Sequence, residues 1–482
     1  MTRLFRLSIF VALTVMVTVF ASNQLSAAPG GGLISHQVAA GHGLTRAWFT
    51  QVRLDPGRGR VEHVTFCEKD ELNHDTLFVQ TDRAALHVID AETGQTLWVK
   101  TIGRPNHPSL PLGVGKELVA VVNGTKIYIL KRADGKLLWT GRMDDIPTAG
   151  VCISKRRVFV PTISGRVIGY KMTQIRDESI LAAKIDDKAA AEEAEEAAKD
   201  AKPATAGDTE EQESESLRFK QGPAAEVACG SSGAVTTQPI IVRDDDLGVY
   251  IGWTTSKGMF VAHIGRQDEN RFPLLYELAG GNQIVSRPSY LPPQSGNPDM
   301  EGVIFVASLN GSVYAHSERQ GVELWKRATG QPIVEPVVPI GQHLYVTSEL
   351  GGMYCLATSN GSKLWHAPQI TKFIAASPTR LYVADKLGRL LVLDQKSGAR
   401  IDTLPFAATD TMVCNMRTDR IYLVNKTGLV QCLHETELAQ PARHSQTADE
   451  KDLEKPEGEK KAETNEEEAA PEAGDDSEDP FA

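Results

Sequence analysis

Hydrophobic positions along the chain form short runs that recur at regular intervals. One unit has apolar runs at residues 77–81, 86–90 and 97–99, separated by turn residues. Short runs rich in aliphatic, β-branched and aromatic residues between such turns predict an antiparallel meander of strands. Asn123-Gly124 and Asn310-Gly311 fall between two runs of their units, where a tight hairpin needs positive φ. The pattern therefore predicts an all-β protein.

A short pattern, Gly-x-x-Leu-Trp, marks each copy of an internal repeat. Trp98 and Trp139 are 41 residues apart and Trp325 and Trp365 are 40 apart, which is the length of one four-stranded propeller blade. A further copy keeps its glycine but has Asp402 at the tryptophan position. We expect a structural role for the pattern residues, which are Gly94, Trp98, Gly135, Trp139, Gly321, Trp325, Gly361, Trp365 and Gly398.

The number of repeats predicts an eight-bladed β-propeller. Eight starts of a second strand are recognised, near Leu77, Leu118, Val158, Val249, Ile304, Leu344, Leu381 and Ile421. Seven blades stay open as an alternative, because the third and fourth repeats are degenerate. The last unit stops after residues 429–433 without an outer strand, whereas residues 43–48 offer one. We expect this N-terminal strand to complete the last blade, since closure removes an exposed sheet edge.

Composition divides the chain into segments. Arg3 and Arg6 precede an apolar run and then small residues, which is the pattern of an export signal; an uncleaved N-terminal anchor is the alternative. The predicted segments are a signal peptide at 1–28, a linker at 29–41, the first part of the propeller with the closing strand and blades 1–3 at 42–175, an acidic Ala/Glu-rich insertion, helical or disordered, at 176–217, the second part with blades 4–8 at 218–440, and a disordered acidic tail at 441–482.

The negative charge of the chain lies in the two appendages. The 482 residues carry a net charge of -11, with 41% hydrophobic residues, which excludes a wholly disordered chain and a multi-span membrane protein. Residues 449–482 hold 15 acidic residues and 4 lysines, and residues 176–217 have a net charge of -9. The rest is mildly basic, which favours anionic partners weakly. The tail is either a solubilising spacer or an acidic interaction arm with Phe481 as its anchor.

Residues with reactive side chains show no catalytic or metal-binding pattern. The cysteines are dispersed without a Cys-x-x-Cys pair, so we interpret them as small apolar positions and expect no metal or redox role; they are Cys67, Cys152, Cys229, Cys355, Cys414 and Cys432. His87 and His316 take strand positions that are apolar or aromatic in other repeats, so both are expected to be structural, with a local hydrogen-bond partner for His316. No nucleophile elbow, Walker loop or His-Glu-x-x-His motif is present. We therefore predict no catalytic, cofactor-binding or metal-binding residues.

The segment at residues 88–98 resembles a known docking repeat. Its aliphatic-Asp pair, Thr-Gly turn and Leu-Trp are similar to the tryptophan-docking repeat of the pyrroloquinoline quinone (PQQ)-like propeller superfamily. The resemblance implies that the tryptophans at the repeat positions stack between neighbouring blades and hold the ring together.

Two branches of this superfamily imply different functions. A quinoprotein dehydrogenase would bind PQQ and Ca²⁺, but this chain has no adjacent cysteine pair and shows no set of oxygen ligands. The other branch is a non-catalytic exported propeller that resembles the B component of the outer-membrane β-barrel assembly machinery. The chain departs from that pattern in its acidic appendages and in the absence of a lipid-attachment cysteine.

The sequence favours an exported, non-catalytic scaffold for protein–protein interaction, in the periplasm or at the outer-membrane periphery, with a role in outer-membrane protein assembly implied by the resemblance. The expected partners are envelope proteins; no nucleic acid, cofactor or small-molecule substrate is expected, and membrane association is expected to be peripheral or through partners. The alternatives are a PQQ/Ca²⁺-dependent dehydrogenase and a periplasmic or surface organiser unrelated to outer-membrane assembly.

Replacement of Trp139 or Trp325 by Ala is expected to lower the free energy of unfolding by about 3–5 kcal/mol, the range for truncating a buried Trp. Denaturant unfolding of each variant measures this loss. Unchanged unfolding of either variant would contradict the docking role.

Overall fold

The computed structural model describes residues 32–55, 57, 59–172, 226–279, 283–293, 301–404 and 411–444. In these residues the strands form eight four-stranded antiparallel sheets, which are the blades of a propeller ring. The predicted eight-bladed propeller is confirmed, and the seven-bladed alternative is excluded. The predicted signal peptide, the acidic insertion at 176–217 and the tail beyond residue 444 lie outside the described residues.

The first half of the ring follows the chain order. A helix, α1 (His36–Gly41), and strand β1 (Leu44–Gln51) come first. Blade 1 consists of β2 (Val61–Cys67), β3 (Thr76–Thr81), β4 (Ala85–Asp90) and β5 (Thr96–Thr101). Blade 2 consists of β6 (Gly113–Val114), β7 (Leu118–Asn123), β8 (Lys126–Lys131) and β9 (Leu137–Arg142). Blade 3 consists of β10 (Cys152–Ile153), β11 (Arg157–Pro161), β12 (Arg166–Lys171) and β13 (Glu226–Gly230). Blade 4 consists of β14 (Ile240–Asp244), β15 (Gly248–Thr254), β16 (Gly258–Gly265) and β17 (Leu274–Ala279).

The second half continues in the same way, except that the last blade takes its outer strand from the N-terminal side. Blade 5 consists of β18 (Ser289–Leu291), β19 (Val303–Ala307), β20 (Ser312–Ser317) and β21 (Glu323–Ala328). Blade 6 consists of β22 (Val338–Ile340), β23 (His343–Ser348), β24 (Gly352–Ala357) and β25 (Lys363–Ala367). Blade 7 consists of β26 (Ile370–Ala376), β27 (Arg380–Asp385), β28 (Leu390–Asp394) and β29 (Arg400–Leu404). Blade 8 consists of β30 (Thr411–Met412), β31 (Ile421–Val424), β32 (Leu429–Glu435) and β1.

The hydrophobic core lies between the blades. All six residues of β3 are buried, whereas the outer strand β5 is largely exposed. A middle strand is covered on both faces by neighbouring blades, so its apolar residues form a continuous run rather than an alternating one. One buried cluster, for example, joins Leu77 and Val79 of blade 1 with Tyr422 and Cys432 of blade 8.

A β-bulge recurs between the third and fourth strands of the blades. In blade 1 Val88 lies opposite Trp98 and Ile89 lies opposite Thr96, so Leu97 is the extra residue. Leu97 is 49% exposed. A bulge adds one unpaired residue and changes the direction of the next side chain. The Leu of the Leu-Trp pattern is therefore the bulged residue, and the Trp after it is directed towards the neighbouring blade; the same shift follows Ile129, Val261, Ala315, Cys355 and Val392.

The ring closes through the N-terminal strand, as the sequence predicts. Strand β1 pairs antiparallel with β32, from Leu44 opposite Glu435 to Gln51 opposite Leu429. Trp48 then reaches blade 1, where its Nε1 donates a hydrogen bond to the carbonyl oxygen of Ala91 at 2.9 Å. This strand therefore fills the last blade and also joins it to the first one.

The predicted linker at 29–41 contains a helix. Ser35 caps α1, because its side-chain oxygen accepts a hydrogen bond from the backbone N–H of Val38. Ile34 and Ala39 are fully buried in the cluster between blades 7 and 8. Burial of these two side chains orders a segment that the sequence analysis predicts to be a linker.

Two neighbouring substitutions in β1 test the closure. Trp48→Ala is expected to lower the free energy of unfolding by about 3–5 kcal/mol, because it removes a buried aromatic ring between blades 8 and 1. Phe49→Ala is the control, since Phe49 is 52% exposed and its ring meets only the Arg46 guanidinium at 5.1 Å among its aromatic or cationic contacts in the described residues. Its expected cost is about 0.5–1 kcal/mol. Equal losses in urea unfolding would show that the docking of Trp48 does not hold the closure.

Candidate functional site

A uniform turn between the third and fourth strands receives an aromatic ring from the preceding blade. The backbone N–H of Gly94 donates to the carbonyl oxygen of Asp90, four residues earlier. Gly94 has φ +74°, and a Cβ there would lie 2.5 Å from the Trp48 ring. Only glycine adopts this conformation readily and also leaves room for the ring. The glycine of the repeat is therefore required by both the turn and the neighbouring blade.

The same contact recurs around the ring with a constant offset. Each ring packs on a repeat glycine, and its indole N–H donates to the carbonyl oxygen three residues before that glycine. The pairs are Trp98 with Gly135 and the Arg132 oxygen, Trp325 with Gly361 and the Thr358 oxygen, and Trp365 with Gly398 and the Gln395 oxygen, at 2.9–3.0 Å. Each tryptophan is thus fixed by its packing and by its hydrogen bond.

Two junctions use other residues at the tryptophan position. Tyr276 of blade 4 lies opposite Val261, packs on Gly321, and donates its hydroxyl hydrogen to the Glu318 oxygen. At the junction of blades 7 and 8, Asp402 Oδ2 lies 2.6 Å from His42 Nδ1. This hydrogen bond with His42 holds the pKa of Asp402 below its usual value.

The sequence analysis identified Asp402 at a tryptophan position but missed Tyr276 and His42. Tyr276 follows a degenerate stretch without the Gly-x-x-Leu pattern, so only its register opposite Val261 reveals it. His42 is distant from Asp402 in the sequence and precedes the closing strand. The adjacent Gly43 has a positive φ of +69°, but the Gly-x-x-Leu pattern does not mark it in the sequence.

Trp139 has a different environment from the other repeat tryptophans. It is 7% exposed and packs against Tyr170 of blade 3, with 5.9 Å between ring centroids. The turn between β12 and β13, which would receive it, falls on residues outside the described ranges. The structure thus brings six of the predicted residues together in three Trp–Gly pairs, and it pairs Gly94 and Gly321 with aromatic residues that were not predicted. Trp139 has no repeat glycine of the next blade in the described part of the chain.

The two histidines and four of the six cysteines singled out by sequence are buried inside blades, whereas Cys67 is half-buried in the cavity wall and Cys414 is exposed between β30 and β31. His87 and His316 are 4% and 5% exposed, and burial lowers the pKa of both imidazoles, which favours the neutral form. Nε2 of His87 and Nδ1 of His316 have no hydrogen-bond partner among the described residues. The six cysteines are free thiols. Burial raises the pKa of Cys152 and Cys355 to about 12, which suits apolar packing positions.

A cavity of about 830 Å³ opens on one end of the ring. Its wall is formed by blades 1 to 4, through the loops between first and second strands and the turns between third and fourth strands. Connections of these two kinds share one end of an up-and-down blade, which we call the cavity face; the middle hairpins and the links between blades form the opposite face. The lining includes Val114, Ile153, Met172 and Ile241 as its apolar part.

Charged residues surround this apolar part in ion pairs. Arg132, which is 3% exposed, donates through Nη1 to Asp70 Oδ2 at 2.9 Å. Glu269 pairs with Lys171 and, at 3.2 Å, with Arg156. The hydrogen bond from Lys171 holds the pKa of Glu269 below its usual value. The wall carries six cationic and four acidic side chains, so it has an excess of positive charge.

The chain after β32 is held on the same face. Arg420, which is 3% exposed, donates to the carbonyl oxygens of Leu438 at 3.0 Å and Ala439 at 2.7 Å. Arg443 reaches blade 1, where its Nη2 lies 2.6 Å from Asp75 Oδ2 and its Nη1 lies 2.9 Å from Glu68 Oε1. We call residues 436–444 the strap.

The strap ties blade 8 to blade 1 in addition to Trp48. It includes residues 441–444, which were predicted as the start of the disordered tail. These contacts could not be predicted from the sequence, because Glu68 and Asp75, the partners of Arg443, are more than 360 residues away from it.

The carboxylates of the cavity wall do not fit the Ca²⁺ site of the dehydrogenase branch. Ca²⁺ needs several carboxylate or carbonyl oxygens directed at one point. Asp70 and Glu269 in the wall are instead bound to cations. Among the described residues, no three or more His, Cys, Asp or Glu side chains are arranged to hold a metal ion. In the same residues, no helix has the length and apolar character needed to span a membrane.

Eight blades, five of whose junctions have an aromatic ring docked on a glycine turn in the described residues, define a β-propeller of PQQ-like repeats. A profile of such repeats, described as outer membrane protein assembly factor BamB, matches residues 62–196 and 274–443. Because the match covers more than half of the chain, the protein belongs to this family.

Solved structures show the same fold at low sequence identity. BamB from Moraxella catarrhalis is 13% identical with a TM-score of 0.53, and the match covers 82% of this chain and 98% of that one. A computationally designed protein, Ika8, is also 13% identical, with a TM-score of 0.52 over 79% of this chain and 98% of its own. A designed protein matches as well as a natural one, so this likeness shows the fold alone. No curated protein sequence matches this chain.

The contact between ring and glycine can be separated from backbone strain by two substitutions in blade 6. Gly361→Ala is expected to displace Trp325, because the new Cβ would lie 2.5 Å from its ring. Gly341 has a similar positive φ and open space around it, so Gly341→Ala carries only the cost of the left-handed conformation, about 1–2 kcal/mol. Gly361→Ala should cost about 1–3 kcal/mol more, as overpacking does.

Urea unfolding monitored by tryptophan fluorescence measures both variants. The native emission of Gly361→Ala should also shift, because the Trp325 ring moves, whereas that of Gly341→Ala should not. Equal losses of stability with equal emission spectra would contradict the docking contact.

Proposed function

We propose that this protein is an exported, non-catalytic scaffold that binds envelope proteins during the assembly of outer-membrane proteins. The observation that carries the proposal is membership of the family described as outer membrane protein assembly factor BamB, whose profile matches residues 62–196 and 274–443. The charge pattern of residues 1–28 supports export, and the periplasm or the outer-membrane periphery is the proposed location.

The geometry of the ring supports a scaffold role. The aromatic rings of blades 8, 1, 5 and 6 are fixed by packing and by indole hydrogen bonds to the next blade. β1 closes the ring, and the strap adds the Arg443 ion pairs across the same junction. A ring held in this way presents its loops at fixed relative positions, which favours binding to a large partner surface.

The charged loops of the cavity face support it as the binding surface. Lys116 is 54% exposed and Arg156 is 46% exposed, and both stand beside the apolar part of the cavity wall. Apolar area with a polar and charged rim is the composition of a protein interface. The proposal includes no catalysis, because the wall carboxylates are committed to cations and no described residue set supplies a nucleophile with its base.

Affinity capture from the envelope fraction tests this function. The full-length protein is tagged, expressed in its own cells and crosslinked mildly, and the captured proteins are identified by mass spectrometry. We expect β-barrel assembly components or nascent outer-membrane proteins to be enriched. Recovery of only soluble or surface proteins would overturn the assembly role and favour an organiser unrelated to it.

Two matched charge variants locate the binding surface in the same experiment. Lys116→Glu with Arg156→Glu changes the cavity face, and Lys257→Glu with Lys386→Glu changes exposed hairpins of the opposite face. We expect the first variant to lower recovery of the partners about tenfold, because reversed rim charges repel an acidic partner, and the second to leave recovery unchanged. The reverse result would place the partner on the opposite face.

A further inference from the structure

The acidic segment 445–482 follows directly after the strap, which is held on the cavity face. The backbone N–H of His444 donates to the carbonyl oxygen of Arg417 at 2.8 Å, which fixes the last described residue. Arg443 next to it binds Glu68, and Glu68 directly follows Cys67 of the cavity wall. The segment therefore leaves the ring beside the cavity.

Charge favours contact between this segment and the cavity rim. The segment has 38 residues and a net charge of -11, and its first acidic residue is Asp449. An extended chain spans about 3.3–3.6 Å per residue, so five residues beyond His444 reach about 17 Å. The rim presents Lys116, Lys155 and Arg156 as exposed cations, and Arg266 is 39% exposed. Lys116 pairs with Glu71 and Arg266 pairs with Asp246, both exposed carboxylates, and such surface pairs are weak enough to be exchanged.

We propose that the acidic segment 445–482 binds in cis to the cationic rim of the cavity and so covers the cavity face. The covalent connection through the strap gives the segment a millimolar effective concentration at the rim, so weak individual ion pairs are sufficient. A partner of the cavity face must then displace the segment, which makes it a competitor of acidic partners. Because the rim cations and the segment are opposite in charge, binding of the segment to the rim weakens as salt is added.

Zero-length carbodiimide crosslinking of the full-length protein tests the contact, because it joins a carboxylate to an amine only where the two touch. We expect crosslinks from acidic residues of 449–479 to Lys116 and Lys155 at about ten times the yield found at Lys257 and Lys386 on the opposite face. The yield at Lys116 and Lys155 should fall to the level of these controls in about 1 M NaCl, where the Debye length is about 3 Å.

A second test changes the charge of the rim but keeps Lys116 and Lys155, the lysines at which crosslinks are measured. Arg156→Glu with Arg266→Glu is expected to lower the crosslinks at Lys116 and Lys155 about fivefold, since two attractions become repulsions. Arg104→Glu with Arg142→Glu changes exposed arginines near the opposite face and should leave the yield unchanged. Thermal unfolding of both variants verifies that they are folded.

Four outcomes would overturn the proposal. They are equal yields at the rim and control lysines, an unchanged yield in the Arg156 and Arg266 variant, crosslinks to the rim from acidic residues of 173–225 instead of the segment, and crosslinks between labelled and unlabelled copies in a mixture of ¹⁵N-labelled and unlabelled protein. The last two would identify the insertion or a second copy as the occupant. None of these outcomes depends on the partners captured from the envelope.

Discussion

The structure depends on one contact, in which an aromatic ring of one blade packs on the glycine turn of the next. The left-handed glycine creates the space, the carbonyl oxygen three residues earlier accepts the indole hydrogen, and the bulge before the ring sets its direction. Each blade alone would expose both faces of its middle strands, so the contacts between blades contribute most of the apolar burial. The ring is therefore stable only when its blades are docked in sequence.

The closing junction carries more interactions than a regular one because it joins the two ends of the described chain. Blade 8 takes its outer strand from β1, Trp48 docks on Gly94, and Arg443 binds Asp75 from the other side. Distant parts of the chain meet here, which costs more loop-closure entropy than a contact between neighbouring repeats. At the junction before it, a hydrogen bond between Asp402 and His42 takes the place of the docked ring, and a buried apolar cluster joins blades 7 and 8.

The two ends of the ring differ in chemistry. The cavity face carries the charged loops, the cavity and the strap, and the chain leaves this face at residues 172 and 444 for its two acidic stretches. The opposite face consists of short hairpins, in which Asn123-Gly124 and Asn310-Gly311 form tight turns with positive φ at the glycines. We thus propose that the cavity face binds the partner and that the acidic segment 445–482 competes for the same face. The opposite face connects the strands.

The fold was predictable because it repeats: the spacing of Gly94, Trp98, Gly135 and Trp139 gave the blade length, and the missing outer strand of the last unit indicated the closure by β1. Contacts without a repeating pattern were not predictable. Three such contacts are the docking of Tyr276 on the next blade, the His42–Asp402 hydrogen bond and the ion pair of Arg443 with Asp75. In each case the sequence contains no pattern that indicates that the two residues meet. The cavity belongs to this second group, because four blades supply its wall. Local pattern determined the blades, and only the closed ring decided which charges and side chains meet.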